Sequence, residues 1–222
     1  MAIEHGSIKK PFLILCEGMD TEKFLISYLN SKELQYDTRF RNDIQTFDFN
    51  GINELAAHIS SLKNMEHFEE VTHLLVLRDA ETDVNKAVRM VQKAFRQNGL
   101  PVPENNNEWK YIQNSPCTAF TLLPACSKEP ETGALEDLCW KLLVHNRLSE
   151  FCTDVQDFVN LAKEKYNSIS AHEHKSRLHT FFSVNEKYIS LKIGEAAKAG
   201  AFDWSSHWLV PLRELISEGF EQ

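Results

Sequence analysis

The sequence predicts an α/β fold: a mainly parallel sheet flanked by helices, followed by a helical C-terminal extension. Short apolar runs alternate with segments of helical period through the first half. Two of those runs end in carboxylates, as strands feeding a ligand crevice do. Beyond about residue 147 only helical periodicity remains.

Phe12-Leu13-Ile14-Leu15-Cys16 is continuously apolar, as a strand covered on both faces requires, and it stops at Glu17-Gly18, where the glycine is expected to permit a tight turn. Phe24, Leu25, Tyr28 and Leu29 then recur at helical spacing. From Ile44 to Phe49 apolar and polar residues alternate, the pattern of a half-buried strand, and Leu55, Ile59 and Leu62 mark one side of the next helix. The clearest strand, Thr72 to Leu77, ends at Arg78-Asp79-Ala80-Glu81-Thr82-Asp83. Val84, Ala87, Val88, Val91 and Phe95 line the apolar side of a helix that Gly99-Leu100-Pro101 stops. After the polar loop from Pro103 to Asn107, Thr118 to Leu123 reads as a further strand ending at Pro124, and a helix with Leu135, Leu138, Leu142 and Leu143 starts after Gly133. Val155, Phe158, Val159 and Ala162 share one helical face, as do Leu209, Leu212, Leu215 and Ile216. The expected division is a core over 1–146 and a helical extension over 147–222, packed together as a single compact unit.

The chain has 222 residues, 24 basic and 32 acidic, for a net charge of −8, and 42% hydrophobic content excludes wholesale disorder. No apolar run approaches the roughly 18 residues of a membrane span, and the opening MAIEHGSIKK lacks the apolar stretch of a secretory signal. Five cysteines, an odd number with no CxxC pair, argue for reduced thiols. A cytoplasmic protein without a membrane partner is expected.

The strand-end acids are the candidate chemistry. Glu17 follows one strand, and Asp79, Glu81 and Asp83 follow another at alternate positions, so an extended backbone would aim all three at one cation. Mg²⁺ takes oxygen ligands and keeps several waters, so two or three carboxylates suffice to hold it. The other reading is that these acids cap helices and meet their dipoles.

The apolar strand with Glu17-Gly18, an acid-bearing helix start with Phe24-Leu25, and a strand ending in Asp79-x-Glu81 together resemble the Toprim fold of topoisomerases, bacterial primases and OLD-type nucleases. GALEDLCWKLL and LKIGEAAKAGAFDWSSHWLVPL look like a small stand-alone, OLD-like Toprim family, so the likeness touches most of the chain at four stretches. The resemblance implies that Glu17 is a metal ligand or general acid/base, and that Asp79 and Glu81 form the acidic pair, with Glu81 where aspartate is usual. It implies an additional ligand at Glu136, which with Asp137 matches the LEDL acids, and a late basic catalytic residue at Lys175 or Lys192. Thr21 departs from the pattern, standing where OLD-type nucleases carry another acid; Asp20 and Glu22 flank it. The implied activity is a Mg²⁺- or Mn²⁺-dependent nuclease with a role in phage defence. An ABC-type ATPase partner would be a separate chain, since neither GxxxxGK[ST] nor GxGxxG occurs here.

Lys86, Arg89, Lys93 and Arg96 fall within roughly 80° of one another on the helix after Asp83, with no acid between Val84 and Gly99. The stripe is either a solvated face or a contact for a nucleic-acid backbone, DNA or tRNA, and Arg39 and Arg41 are expected to extend it. His172-Glu173-His174 lacks HExxH spacing and reads as solvent-facing. The cysteines read as buried inert thiols. Trp109 and Trp140 suit the core, while Phe181-Phe182 and the Trp204 to Trp208 segment suit the core or a partner surface. The leading function is a metal-dependent phosphodiesterase acting on DNA or RNA. The alternative, favoured by Thr21 and Glu81, is a catalytically silent Toprim-like interaction module that binds metal or a partner protein.

Overall fold

Strand β1 (Phe12–Cys16) is buried at all five positions, because helices cover both of its faces. In the computed structural model, which describes residues 7–144, 149–166 and 173–221, β1 lies between helix-linked parallel neighbours. After β1 come α1 (Met19–Leu29) and the short α2 (Arg39–Asn42), which leads into β2 (Ile44–Asp48). Helix α3 (Leu55–Lys63) precedes β3 (His73–Asp79), and α4 (Val84–Gln97) precedes β4 (Cys117–Leu123). The sheet runs β2-β1-β3-β4, every pair parallel, so the fold is a Rossmann-like α/β arrangement. Strand β3 continues beyond the expected Leu77 because β4 offers it partners, Leu122 opposite Arg78 and Leu123 opposite Asp79.

Strand alternation divides the core in two. Leu13, Leu15, Leu74, Val76, Phe120 and Leu122 face α3 and α4, packing on Leu55, Ile59, Val91 and Phe95. Phe12, Ile14, Cys16, Leu75, Leu77 and Leu123 face the opposite way, toward α1 and α5 (Leu135–Val144). The C-terminal helices α6 (Ser149–Lys165), α7 (Glu173–Val184), α8 (Ile193–Lys198) and α9 (Val210–Phe220) complete this second layer. Their Phe181, Phe182, Leu212 and Ile216 are buried in the same cluster as Phe12, so the extension shares the core of the sheet. That assigns Phe181 and Phe182 to packing, with Trp204 and Trp208 partly buried against the same core cluster. The boundary expected at 146/147 lies outside the described residues.

On α6 the buried stripe is Cys152, Val155 and Val159, whereas Phe158 is 60% exposed and does not share it. At 100° per residue Phe158 sits about 90° from the centre of that stripe, too far round to reach a neighbour packed on one side only. Among the described residues, no helix is long and apolar enough to cross a membrane.

Helix α8 is drawn against α1 at Gly194, whose amide donates to Asp20 Oδ1 at 3.2 Å; a Cβ there would run into the stem of Lys23. Gly194→Ala should therefore force the two helices apart and cost about 1–3 kcal/mol. Urea unfolding would register this as a lower midpoint at unchanged slope.

Candidate metal centre and adjoining cleft

The chain moves from β1 outward to β2, then returns past β1 to β3, so the crevice at the carboxyl ends of β1 and β3 is the topological switch point of the sheet. Glu17 and Asp79 meet there. The Glu17 amide donates to the Leu77 carbonyl at 3.1 Å, continuing the β1–β3 ladder by one residue. Its carboxylate Oε2 accepts the Asp79 amide at 3.0 Å and lies 3.4 Å from Arg78 Nε. Asp79 Oδ1 in turn accepts the Leu135 amide at 2.9 Å, tying β3 to the first turn of α5. Gly18 contributes no special turn: its backbone is extended at φ −157°, and a Cβ there would meet nothing within 4 Å.

The backbone does not stay extended through the acids. Glu81 is left-handed, at φ 58°, and exchanges two 2.8 Å backbone hydrogen bonds with Gly133. This turn breaks the alternation that would have aimed positions 79, 81 and 83 at one point. Asp83 is the N-cap of α4, its Oδ1 accepting the Lys86 amide at 2.9 Å, so the helix-capping reading holds for that acid.

The second half of the chain adds Glu136, whose side chain is 12% exposed and whose Oε1 lies 3.8 Å from Lys175 Nζ. Asp137 turns elsewhere: it accepts the Ala134 amide at 2.9 Å and pairs with Arg177 at 2.5 Å. Lys192 is an exposed N-cap whose amide donates to Glu195 Oε2 at 2.9 Å, so of the two late lysines it is Lys175 that pairs with a candidate ligand. Beside the buried Thr21, Asp20 Oδ1 accepts the Gly194 amide at 3.2 Å and Glu22 Oε1 accepts Thr46 Oγ1 at 3.0 Å.

Burial pushes the Asp79 carboxyl up to about 8, and the negative charges of Glu17, Glu136 and Glu81 add to the push against the pull of the Leu135 amide. Burial also raises Glu17, opposed by the Arg78 guanidinium and the Asp79 amide, with Glu81 raising it and the Ile52 amide lowering it. Thus Glu17, Asp79, Glu81 and Glu136 share one electrostatic neighbourhood. Their oxygens do not close into a tight cage. Among the described residues, the three metal-ligating groups with donor atoms all within 4.8 Å of one another are His67, Glu69 and Glu70, exposed before β3.

A cleft of about 240 Å³ adjoins the acids, lined by Arg78, Glu81, Asp83 and Lys86 with Asn53 and Met90. From it runs the α4 stripe: Lys86, Arg89, Lys93 and Arg96 are all exposed, and none forms an ion pair among the described residues. Arg39 and Arg41 do not extend the stripe. They sit on α2, whose Phe40 packs in the layer of α1 and α9 on the opposite face of the sheet from α4, and Arg39 lies over the Phe220 ring and is held by Asp37 at 2.7 Å.

Arg78 is the site residue that sequence reasoning missed. Its side chain is 3% exposed, and the signal was an arginine closing the apolar run LLVL, a charge that burial obliges to find an acid. All five cysteines are free, and burial pushes the Cys126 thiol up to about 12 and Cys152 to about 11, so neither is a thiolate nucleophile. His172 lies outside the described residues, while Glu173 pairs with Lys163 at 2.9 Å.

Asp79 sets a pH dependence. Its folded value near 8 lies above the usual 3.8, so the native state binds the extra proton between those limits. The stability this contributes is complete below pH 4 and lost as pH rises through 8. In EDTA, the melting temperature should fall from pH 5 to 8.5, and Asp79→Asn, which keeps an oxygen for the Leu135 amide, should flatten the decline. Melts across that range check this; an equal slope in the variant would assign the effect to other groups.

The family model described as "Protein of unknown function (DUF3226)" matches residues 11–220. No curated protein and no solved structure matches the chain.

Proposed function

The chain belongs to the DUF3226 family, and from the acids at its switch point we propose a Mg²⁺- or Mn²⁺-dependent phosphodiesterase acting on DNA or RNA. The observation that carries this reading is the negative charge of Glu17, Glu81 and Glu136 gathered around a half-buried Asp79. Burial and the neighbouring negative charges push the Asp79 carboxyl up to about 8, a cost that a bound cation would offset, and an all-oxygen donor set suits Mg²⁺ or Mn²⁺. Glu17, Asp79, Glu81 and Glu136 would hold the ion, while Asp83 serves α4. Bound there, a divalent ion would supply a water of lowered pKa and stabilise charge on a phosphoryl group.

The remaining roles belong to side chains. Lys86, Arg89, Lys93 and Arg96 would bind phosphates beside the acids, orienting the backbone without reading sequence. Lys175 would set a positive charge against Glu136 at the rim. The OLD-like Toprim resemblance supports the same chemistry and extends the proposal to a phage-defence effector working with a separate ABC-type ATPase.

A second reading, a silent module that binds metal or a partner protein, is favoured by the buried Thr21 and by the engagement of Asp20 and Glu22 elsewhere.

Supercoiled plasmid, single-stranded DNA and total tRNA, each with Mg²⁺ or Mn²⁺, separate the two. Wild type should cleave at least one substrate, and Glu17→Gln and Asp79→Asn should each lose at least about 100-fold. Equal cleavage by all three proteins would refute the assignment, and metal-induced stabilisation without cleavage would favour the silent module. Binding should also weaken steeply with salt, and Arg89→Ala and Lys93→Ala should each reduce the slope of log K against log salt by roughly 1.

A further inference from the structure

Arg78 carries a charge that cannot be neutralised into a site that is 3% exposed, so the interior must answer it. Nε donates to the Asp79 carbonyl at 2.9 Å, and Nη1 lies 3.4 Å from the Ala87 carbonyl. The full negative charge beside it is Glu17, with Oε2 3.4 Å from Nε. That same oxygen accepts the Asp79 amide at 3.0 Å. Consecutive residues of β3 therefore grip one oxygen of Glu17, one by charge and one by hydrogen bond, while the Glu17 backbone is fastened to β3 through Leu77. Alternation explains why this works: Arg78 and Glu17 fall on the side of the sheet that faces α4, and Asp79 falls on the side that faces α5. The Ala87 contact pins the guanidinium to α4, and Arg78 also lines the cleft.

We propose that Arg78 is the positioning residue of the site: its guanidinium fixes the Glu17 carboxylate where Glu17 serves the metal centre, and it forms the wall of the cleft beside the basic stripe. This rests on the metal-dependent reading above. A purely structural Arg78 would stabilise the fold and leave metal affinity alone, which gives the test its leverage.

Wild type, Arg78→Lys, Arg78→Met, Glu17→Gln and the double variant Glu17→Gln/Arg78→Met would each be melted in EDTA to confirm folding, then titrated with Mn²⁺ by calorimetry. Arg78→Met should weaken Mn²⁺ binding about 10- to 100-fold. Arg78→Lys, which keeps the charge and loses the fork, should weaken it less. In the Glu17→Gln background Arg78→Met should add nothing, since the arginine acts through that carboxylate. The double variant replaces both charges and leaves neither unpaired, so it keeps this comparison available if Arg78→Met alone fails to fold. In cleavage, Arg78→Met should lower kcat at unchanged KM, whereas Arg89→Ala should raise KM. Losses that simply multiply in the double variant, or wild-type affinity in Arg78→Met, would overturn the positioning role alone. A wild type that takes up no Mn²⁺ would overturn the metal reading and this role with it.

Discussion

Burying a carboxyl among other carboxyls costs free energy twice, once for lost hydration and once for repulsion, and Asp79 bears both costs. The strand ladder fixes its backbone between β1 and β4, and the Leu135 amide fixes one carboxylate oxygen. The side chain therefore cannot relieve the repulsion by turning away. Its carboxyl is held in the protonated form up to about pH 8, which makes the carboxyl ends of β1 and β3 the least self-sufficient part of the molecule. Arg78 offsets the charge of Glu17, and Lys175 meets Glu136 from the rim at 3.8 Å.

The fold produces this congestion through its strand order. Because β1 has β2 on one side and β3 on the other, the helices leaving β1 and β3 depart on opposite faces and open a crevice between them. The C-terminal helices then bring Lys175 and the Gly194 amide to the α1–α5 side of that crevice. The other side carries the cleft and the stripe of α4, so an acidic centre and a basic track lie on adjacent elements of a chain whose net charge is −8.

The sheet was legible because burial on both faces leaves a continuous apolar run, as in Phe12–Cys16, and because strand ends are marked by charges. Placing Glu17 and Asp79 together needed only the parallel-sheet rule. What stayed hidden depended on backbone angles and on which face of the sheet a helix packs. The left-handed turn at Glu81 is set by pairing with Gly133, 52 residues away, which local alternation cannot register. Asp83 became a cap because α4 begins at Val84, and Arg39 and Arg41 were misplaced because the face of the sheet on which α2 packs is a property of topology. Phe158 was misjudged because α6 buries a narrower stripe than its apolar residues cover. Arg78 was written in plain view, but its partner became evident only when β1 and β3 were set side by side.

The most direct test of the carboxylate centre is the count of protons released when Mg²⁺ binds at pH 7, obtained by calorimetry in buffers of differing ionisation enthalpy. An Asp79 that titrates near 8 is mostly protonated at that pH, so an ion that takes its carboxylate should expel close to one proton. Asp79→Asn should expel almost none. Binding of Mg²⁺ without proton release would place the ion elsewhere, and no binding at all would contradict the metal centre.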